Sequence, residues 1–308
     1  MDIIEKINSS VFLTDGGLET DLIFNKGIEL PHFAAFTLLD QPEHENTLKD
    51  YYNDYIEEAI KHNAGFILES PTWRANPDWG YKLGYSQDEL VQVNQKAIAQ
   101  LIQLKSRYAD FDDTFLISGC IGPRGDGYSI IETMTVKQAH EYHNLQIRAL
   151  KNAGVDMISA ITMTYCDEAI GIAESAKSNN IPVVISFTVE TNGDLPSGET
   201  LEKAILKIDA VTDHYPLYYM INCAHPSHFM DKLKSGGSWK NRIRGVRANA
   251  SCKSHDELDQ SVELDTGNKE ELGKLYHILK TQLPDLKVFG GCCGTDVSHI
   301  RTICEHVL

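Results

Sequence analysis

The chain has 308 residues, 44 acidic and 28 basic, so its formal net charge of −16 argues against binding to nucleic-acid phosphates or anionic lipid. No segment has the roughly 18 consecutive apolar residues of a membrane span, and the first residues lack the apolar core of a signal peptide. Seven unevenly spaced cysteines do not form the pattern of a disulfide framework, so we expect a cytoplasmic protein with reduced thiols.

Short runs of β-branched and aromatic residues alternate with longer amphipathic segments along the chain. Eight of these runs are predicted as strands, at residues 11–15, 65–69, 114–118, 156–160, 182–187, 217–221, 243–246 and 287–289. Eight strands interleaved with helices indicate an α/β fold, a (β/α)8 TIM barrel formed as a single domain over residues 1–308. A doubly wound parallel sheet is the alternative architecture.

The helix boundaries carry recognisable signals. Ser86 and Thr135 each begin a capping box ahead of apolar residues at helical spacing, and the second of these helices is predicted to run to about Ala153. Residues 63–65 and 152–154 both read Asn-Ala-Gly before a predicted strand. In each of them the glycine is predicted to take the left-handed conformation that ends a helix.

Three cysteines follow predicted strands, so we expect them at the rim of the barrel where the carboxyl ends of the strands meet. Cys223 follows the sixth strand, and Cys292 and Cys293 follow the eighth. Three thiolates suit a zinc ion that keeps its fourth coordination position open, as in catalytic zinc sites. The alternative is that cysteines pack as small apolar side chains, and we adopt it for the other four, Cys120, Cys166, Cys252 and Cys304.

Polar or small residues follow other predicted strands and are candidate substrate contacts. An aspartate followed by glycines after the first strand can hold an ammonium group and expose backbone amides, although a strand-to-helix turn with an aspartate cap is equally common. The candidates of this kind are Asp15, Gly16, Gly17, Glu69, Thr162 and Asn222.

A predicted rim loop at residues 72–81 carries two of the three tryptophans, Trp73 and Trp79. Aromatic faces can hold a sulfonium or quaternary ammonium group, so both are candidate walls of a substrate site, and Trp73 is retained as a substrate contact. Anchoring of the loop or a subunit contact is the alternative. His225 and His228 are interpreted as loop hydrogen-bonding residues and the acidic residues 256–265 as a solvated loop.

At the three cysteines the chain resembles the homocysteine S-methyltransferase family, zinc-dependent (β/α)8 enzymes that make methionine. The family's Asn-Cys and Gly-Gly-Cys-Cys-Gly motifs stand here at residues 222–223 and 290–294. Similar segments occur in the expected order at residues 15–17, 119–123 and 186–199, so the resemblance covers nearly the whole chain. It implies that the thiols of Cys223, Cys292 and Cys293 bind zinc, that homocysteine is the acceptor, and that Asp15 contacts it.

One residue departs from the family pattern. The family carries a glutamate just after the fourth strand, where it binds the amino group of homocysteine, whereas this chain has Ile161 at that position. We hypothesise that Glu69, an unusual acid after the second strand, compensates. Three alternatives stay open: methylation or demethylation of a different thiol, binding of zinc or a thiol without catalysis, and, less favoured, redox cycling of Cys292 and Cys293.

The methyl donor is expected to be a small onium compound. Transfer from methyltetrahydrofolate through cobalamin would require further domains, and the chain ends fifteen residues after Cys293. S-methylmethionine is the first candidate, with S-adenosylmethionine or betaine behind it. The sequence makes no prediction about the oligomeric state.

Overall fold

Eight parallel strands form a closed barrel in chain order in the computed structural model, which describes residues 3–308. The strands are β1 Phe12–Leu13, β2 Gly65–Glu69, β3 Phe115–Ile121, β4 Met157–Met163, β5 Val183–Phe187, β6 Tyr219–Asn222, β7 Ile243–Ala248 and β8 Val288–Gly291. Pairing of Phe12 with Val288 closes the barrel between β1 and β8. The predicted (β/α)8 barrel is confirmed, and each predicted strand is present with its ends shifted by at most a few residues.

Helices separate the strands and surround the barrel. They are α1 Ile3–Ser9, α2 Leu18–Thr20, α3 Glu45–Lys61, α4 Pro77–Lys82, α5 Gln87–Lys105, α6 Val136–Ala153, α7 Cys166–Ser178, α8 Leu201–Thr212, α9 Pro226–Leu233, α10 His255–Asp259, α11 Lys269–Gln282 and α12 Val297–Val307. Between residues 3 and 308 we find no helix that combines the length and apolar character needed to cross a membrane.

The predicted helix signals are mostly correct, and one of them is wrong. Both capping boxes form, and the helix after Thr135 ends at Ala153, followed by Gly154 in the left-handed conformation with φ of 96°. At residues 63–65, however, Asn63 takes the positive φ, of 51°, and Gly65 begins β2. A Cβ on Gly65 would lie 2.4 Å from the Phe12 ring, so this glycine permits close packing of β2 against β1 and does not cap a helix.

Strand alternation divides the barrel interior into layers. At the amino-terminal end the inward side chains form an apolar cluster that includes Phe12, Ile67, Leu116, Met157, Val184, Met220 and Val288, with Ile7 of α1 packed against it. Because side chains repeat every second residue on one face of a strand, the next inward positions are two residues further on. These are polar: Glu69, Ser118, Ser159, Ser186 and Asn222, all buried. The carboxyl end of the barrel therefore encloses polar groups above an apolar base.

Candidate metal centre and acceptor site

The loops after β6 and β8 bring the sulfur atoms of Cys223, Cys292 and Cys293 within 4.8 Å of one another at the carboxyl rim. Cys223 directly follows β6 with a positive φ of 53°, and Cys292 directly follows β8, where its amide donates to the Ala248 carbonyl of β7 at 2.9 Å. Gly294, with φ of 79°, turns the chain after the pair. The three thiols that were predicted at strand ends thus lie together.

Two of the three sulfurs are in contact. The sulfurs of Cys223 and Cys292 lie at disulfide-bonding distance, whereas Cys293 is free. The reason is geometric, since loops that converge on one point bring two of the sulfurs within bonding distance. Of the four cysteines predicted to pack as apolar side chains, three are buried, but Cys252 is exposed in the loop after β7, so that interpretation is wrong for Cys252.

Neighbouring side chains fix the cysteine cluster. His255 of α10 donates from Nε2 to the Cys223 carbonyl at 2.7 Å, which holds Cys223 in its left-handed conformation. The Tyr128 hydroxyl lies 3.4 Å from the Cys293 sulfur, and the Tyr128 ring stacks on His255 with centroids 4.1 Å apart. Tyr128 and His255 come from the loop after β3 and the helix after β7, and the sequence analysis missed both.

The donor set fits a zinc ion. Three thiolates at Zn–S distances of about 2.3 Å lie roughly 3.8 Å apart in a tetrahedral site, so the observed cluster requires little rearrangement once its sulfurs are reduced. Among the side chains that the structure describes, no histidine, aspartate or glutamate joins the three cysteines within the same limit. Such a set leaves one coordination position for a substrate atom, as in catalytic zinc sites.

A buried charge cluster lies beside the thiols. The Arg247 side chain of β7 donates from Nη2 to Asp15 Oδ1 at 2.7 Å, and its Nη1 is 3.9 Å from Glu69 Oε1. The Tyr51 hydroxyl donates to the other Asp15 oxygen at 3.0 Å. Both oxygens of Asp15 therefore have protein partners, whereas Glu69 Oε2 and Arg247 Nη1 are buried without a hydrogen bond to any described residue.

Burial dominates the acid–base behaviour of this cluster. Desolvation raises the pKa of Glu69 to about 7, against the opposing effect of Arg247. It also raises the pKa of Asp15, and the pKa of Glu19 at the same cavity to about 7. The pKa of Arg247 is raised although burial alone would lower it, because Asp15 and Glu69 favour its charged form. The site therefore holds a permanent cation next to carboxyl groups that titrate near neutral pH.

A cavity of about 460 Å³ opens above the cysteines and the charge cluster. Most of the sequence-derived candidates line it: Asp15, Gly16, Gly17, Glu69, Trp73, Thr162, Cys223, Cys292 and Cys293. Gly17 also serves packing, because a Cβ there would lie 2.5 Å from the Cys292 carbonyl oxygen. Ile161 lines the same cavity, two inward positions along β4 from the apolar base.

Asn222 lies beneath the cavity and is fully buried. Its amide oxygen accepts hydrogen bonds from the Thr162 amide at 2.9 Å and the Ser186 hydroxyl at 2.6 Å. Its amide nitrogen donates to the Thr162 hydroxyl at 2.9 Å. These bonds hold Thr162 at its positive φ of 65°, so the observed role of Asn222 is to position Thr162 at the cavity wall.

The aromatic rim loop has a more specific structure than was predicted. The Arg74 guanidinium lies 4.7 Å from the Trp73 ring and 3.8 Å from the Trp79 ring, so a protein cation already covers both. Trp79 lies on α4 and is not part of the cavity lining, so the interpretation of Trp79 as a wall is wrong and the alternative of loop anchoring fits it. Half-exposed Phe24 and Phe33 line the mouth instead.

Two further predictions about the loops have different outcomes. His225 and His228 bond to loop atoms, the Ser227 hydroxyl at 2.7 Å and the Cys252 carbonyl at 2.9 Å, as expected. The acidic stretch 256–265 is only partly a solvated loop, because Asp259, Glu263 and Asp265 face the cavity. Asp126 joins them from the loop after β3.

Comparison with known proteins identifies relatives along the whole barrel. The sequence profile of the homocysteine S-methyltransferase family matches residues 12–307. Homocysteine S-methyltransferase 1 of Arabidopsis thaliana is 23% identical over 323 residues, which cover 98% of this chain and 94% of that protein. Selenocysteine Se-methyltransferase of Brassica oleracea var. italica is 24% identical, with 94% and 87% of the two chains covered.

Among solved structures, the fold is similar to that of the homocysteine methyltransferase MmuM from Escherichia coli. The metallated form superposes with a TM-score of 0.74 and 18% identity over 96% of both chains. The oxidized form also gives 0.74, with 19% identity over 95% of this chain and 94% of MmuM. At this level of identity the likeness establishes the shared barrel.

Proposed function

The chain belongs to the homocysteine S-methyltransferase family and is a methyltransferase, and from that premise we propose that it methylates the thiol of homocysteine at a zinc ion bound by Cys223, Cys292 and Cys293. A small onium compound is the proposed donor. The observation that carries the proposal is the convergence of three cysteine sulfurs within 4.8 Å, on a cavity lined by Glu69 and Arg247, each with one buried polar atom that has no hydrogen bond to a described residue.

The cysteines would hold zinc in their reduced form. When bound, zinc would keep the acceptor thiol deprotonated at neutral pH, where a free thiol with a pKa of about 8.5 is only about 3% thiolate. His255 and Tyr128 contribute by fixing Cys223 and Cys293, because both make direct contacts with these residues.

Glu69 is the proposed partner of the acceptor ammonium in this chain. Ile161 offers no charge at the position of the family glutamate, while Glu69 Oε2 is buried and without a hydrogen-bond partner in the described chain. An ionised carboxylate in this environment gains a charge-assisted hydrogen bond from an ammonium group. Gly16, Gly17 and Thr162 are proposed to shape the acceptor side of the same cavity.

The charge of the cavity favours a cationic donor. Seven carboxyl groups line it, Asp15, Glu19, Glu69, Asp126, Asp259, Glu263 and Asp265, against two guanidinium groups, those of Arg74 and Arg247. Burial, and then the nearby Asp126, raise the pKa of Asp259. S-methylmethionine, with its sulfonium centre, is the first candidate, and the Phe24 and Phe33 rings can contact such a cation at the mouth.

A second candidate is the same chemistry on a different acceptor. Ile161 favours a different acceptor, because this chain lacks the glutamate that binds the amino group of homocysteine in the family pattern. Selenocysteine is the acceptor named for the Brassica oleracea relative and carries the same charged groups as homocysteine on a shorter side chain. Its more acidic selenol needs less activation than a thiol.

The test is product formation measured by mass spectrometry with reduced, zinc-replete protein. Homocysteine and selenocysteine are each combined with S-methylmethionine, S-adenosylmethionine or betaine. Cys292→Ala removes a proposed ligand, and Cys304→Ala is the matched control because Cys304 is buried on α12, away from the cavity. We expect product from one donor, lost in Cys292→Ala and kept in Cys304→Ala. Absence of product from every pair, with zinc bound, would exclude the proposed reaction.

A further inference from the structure

Arg247 reaches the cavity with one guanidinium nitrogen uncommitted. Its Nε donates to the Gly291 carbonyl at 3.1 Å, and its Nη2 donates to Asp15 at 2.7 Å and to the Gly16 carbonyl at 3.3 Å. These three bonds fix the planar group. Nη1 is buried and has no hydrogen-bond partner among the described residues, and Arg247 is one of the residues that line the cavity.

Glu69 offers a hydrogen-bond acceptor that matches the donor of Arg247. Its Oε2 accepts no hydrogen bond from the described chain, and the side chain is 4% exposed. The 3.9 Å between Arg247 Nη1 and Glu69 Oε1 exceeds a hydrogen bond. Buried groups of this kind are costly unless something pairs with them, and here a donor and an acceptor stand side by side at the same cavity.

We propose that Arg247 binds the α-carboxylate of the acceptor through Nη1 while Glu69 binds its ammonium group, so that the enzyme reads the acceptor as an α-amino acid as well as a thiol. In an α-amino acid both charged groups are attached to one carbon, which suits a donor and an acceptor a few ångströms apart. A ligand with only one of these groups leaves either Nη1 or Oε2 unpaired in the complex. This inference rests on the proposed function for the position of the acceptor sulfur and for the role of Glu69, and adds the role of Arg247.

Arg247 does more than neutralise Asp15. Nη2 alone makes the bond to Asp15, and the bonds of Nε and Nη2 to backbone carbonyls direct Nη1 toward Glu69. A lysine would supply the counter-charge for Asp15 without a second, fixed donor. The geometry therefore predicts that charge retention at this position is not sufficient for acceptor recognition.

Binding of thioethers tests the inference without zinc or methyl transfer. Calorimetry on the whole protein compares methionine with methylthiopropylamine, which lacks the carboxylate, and methylthiobutyrate, which lacks the ammonium. Wild-type protein should bind methionine roughly 30-fold or more tightly than either analogue, because each truncation leaves a buried charged group unpaired. Equal affinity for methionine and methylthiopropylamine would overturn the role of Arg247, even if no variant folded.

The variants should divide the two roles. Arg247→Lys should lower the affinity for methionine about tenfold or more and leave the affinity for methylthiopropylamine within about twofold of wild type. Glu69→Gln should likewise lower the affinity for methionine and leave that for methylthiobutyrate within about twofold. Arg244→Lys is the control, because Arg244 lies on β7 at the opposite end of the barrel beside Asn8. If Arg247→Lys weakens all three ligands equally, Arg247 has only a structural role.

Methionine formation, measured in parallel, separates this inference from the proposed function. Discrimination between the thioethers without methyl transfer would leave the inference standing and remove the reaction. Methyl transfer to homocysteine without this difference in thioether affinity would support the proposed reaction and exclude the role proposed for Arg247.

Discussion

Glu69→Gln should weaken binding of the amino acid by a factor that depends on pH. Burial raises the pKa of Glu69 to about 7, so this carboxyl group is roughly 10% ionised at pH 6 and 90% at pH 8. Only the ionised form attracts an ammonium group, so wild-type affinity for methionine should rise about tenfold across this interval. A charge-assisted hydrogen bond of about 1.5–3 kcal/mol gives a wild-type advantage of roughly 10- to 150-fold at pH 8, and about tenfold less at pH 6.

The assay is the dissociation constant for methionine, measured calorimetrically for both proteins at pH 6, 7 and 8. The ratio of the two constants cancels the titration of the ligand itself. Asp15, Arg247 and the Cys120 thiol also face Glu69, but they are present in both proteins. Glu58→Gln is the control, because Glu58 is equally buried but lies on α3 against Arg301, outside the barrel. A ratio that does not change with pH would refute the reasoning.

Three further predictions concern stability and metal binding. Because the pKa of Glu69 is raised to about 7, the folded protein binds this proton more tightly than the unfolded chain does. The free energy of unfolding should therefore fall by up to about 3 kcal/mol as pH rises from about 4.5 to 7. In urea unfolding, Glu69→Gln should abolish this contribution. Elemental analysis of reduced protein should show one zinc per chain in Cys304→Ala and much less in Cys293→Ala; equal zinc in both would contradict the three-thiolate site. Gly65→Ala should lower the free energy of unfolding by about 1–3 kcal/mol, because the new Cβ would meet the Phe12 ring. Gly125→Ala should leave the free energy of unfolding nearly unchanged, because the new Cβ would lie in open space.

The strands and the thiol cluster could be predicted from the sequence because both depend on local patterns. Apolar runs bounded by turn residues identified every strand, and the cysteines stand directly after two of them. Strand ends were less predictable. β3 and β4 continue to Ile121 and Met163, beyond the predicted ends, because Ile121 pairs with Ala160 and Met163 pairs with Phe187 in the closed barrel.

The charge cluster could not be predicted as completely. In the sequence the apolar run of β7 ends at Val246, so Arg247 was left unassigned, although an arginine two residues after the inward Gly245 was an available signal. Tyr128 and Asp259 reach the cavity from loops whose path depends on tertiary contacts, such as the stacking of Tyr128 on His255. Sequence spacing carries no information about such paths.

The proposed replacement of the family glutamate on β4 by Glu69 on β2 has an electrostatic consequence that can be measured. On β2, Glu69 shares a buried site with Asp15, and each carboxylate disfavours ionisation of the other, so the arrangement depends on Arg247. Arg247→Met should destabilise the protein by about 3–5 kcal/mol at pH 8, because it leaves both carboxylates buried without a cation. Adding Glu69→Gln should recover about 1–2 kcal/mol of that loss, since one of the two opposed charges is then gone. Strictly additive unfolding free energies in this double-mutant cycle would show that Glu69 and Arg247 are independent, and the compensation for Ile161 would then need another residue.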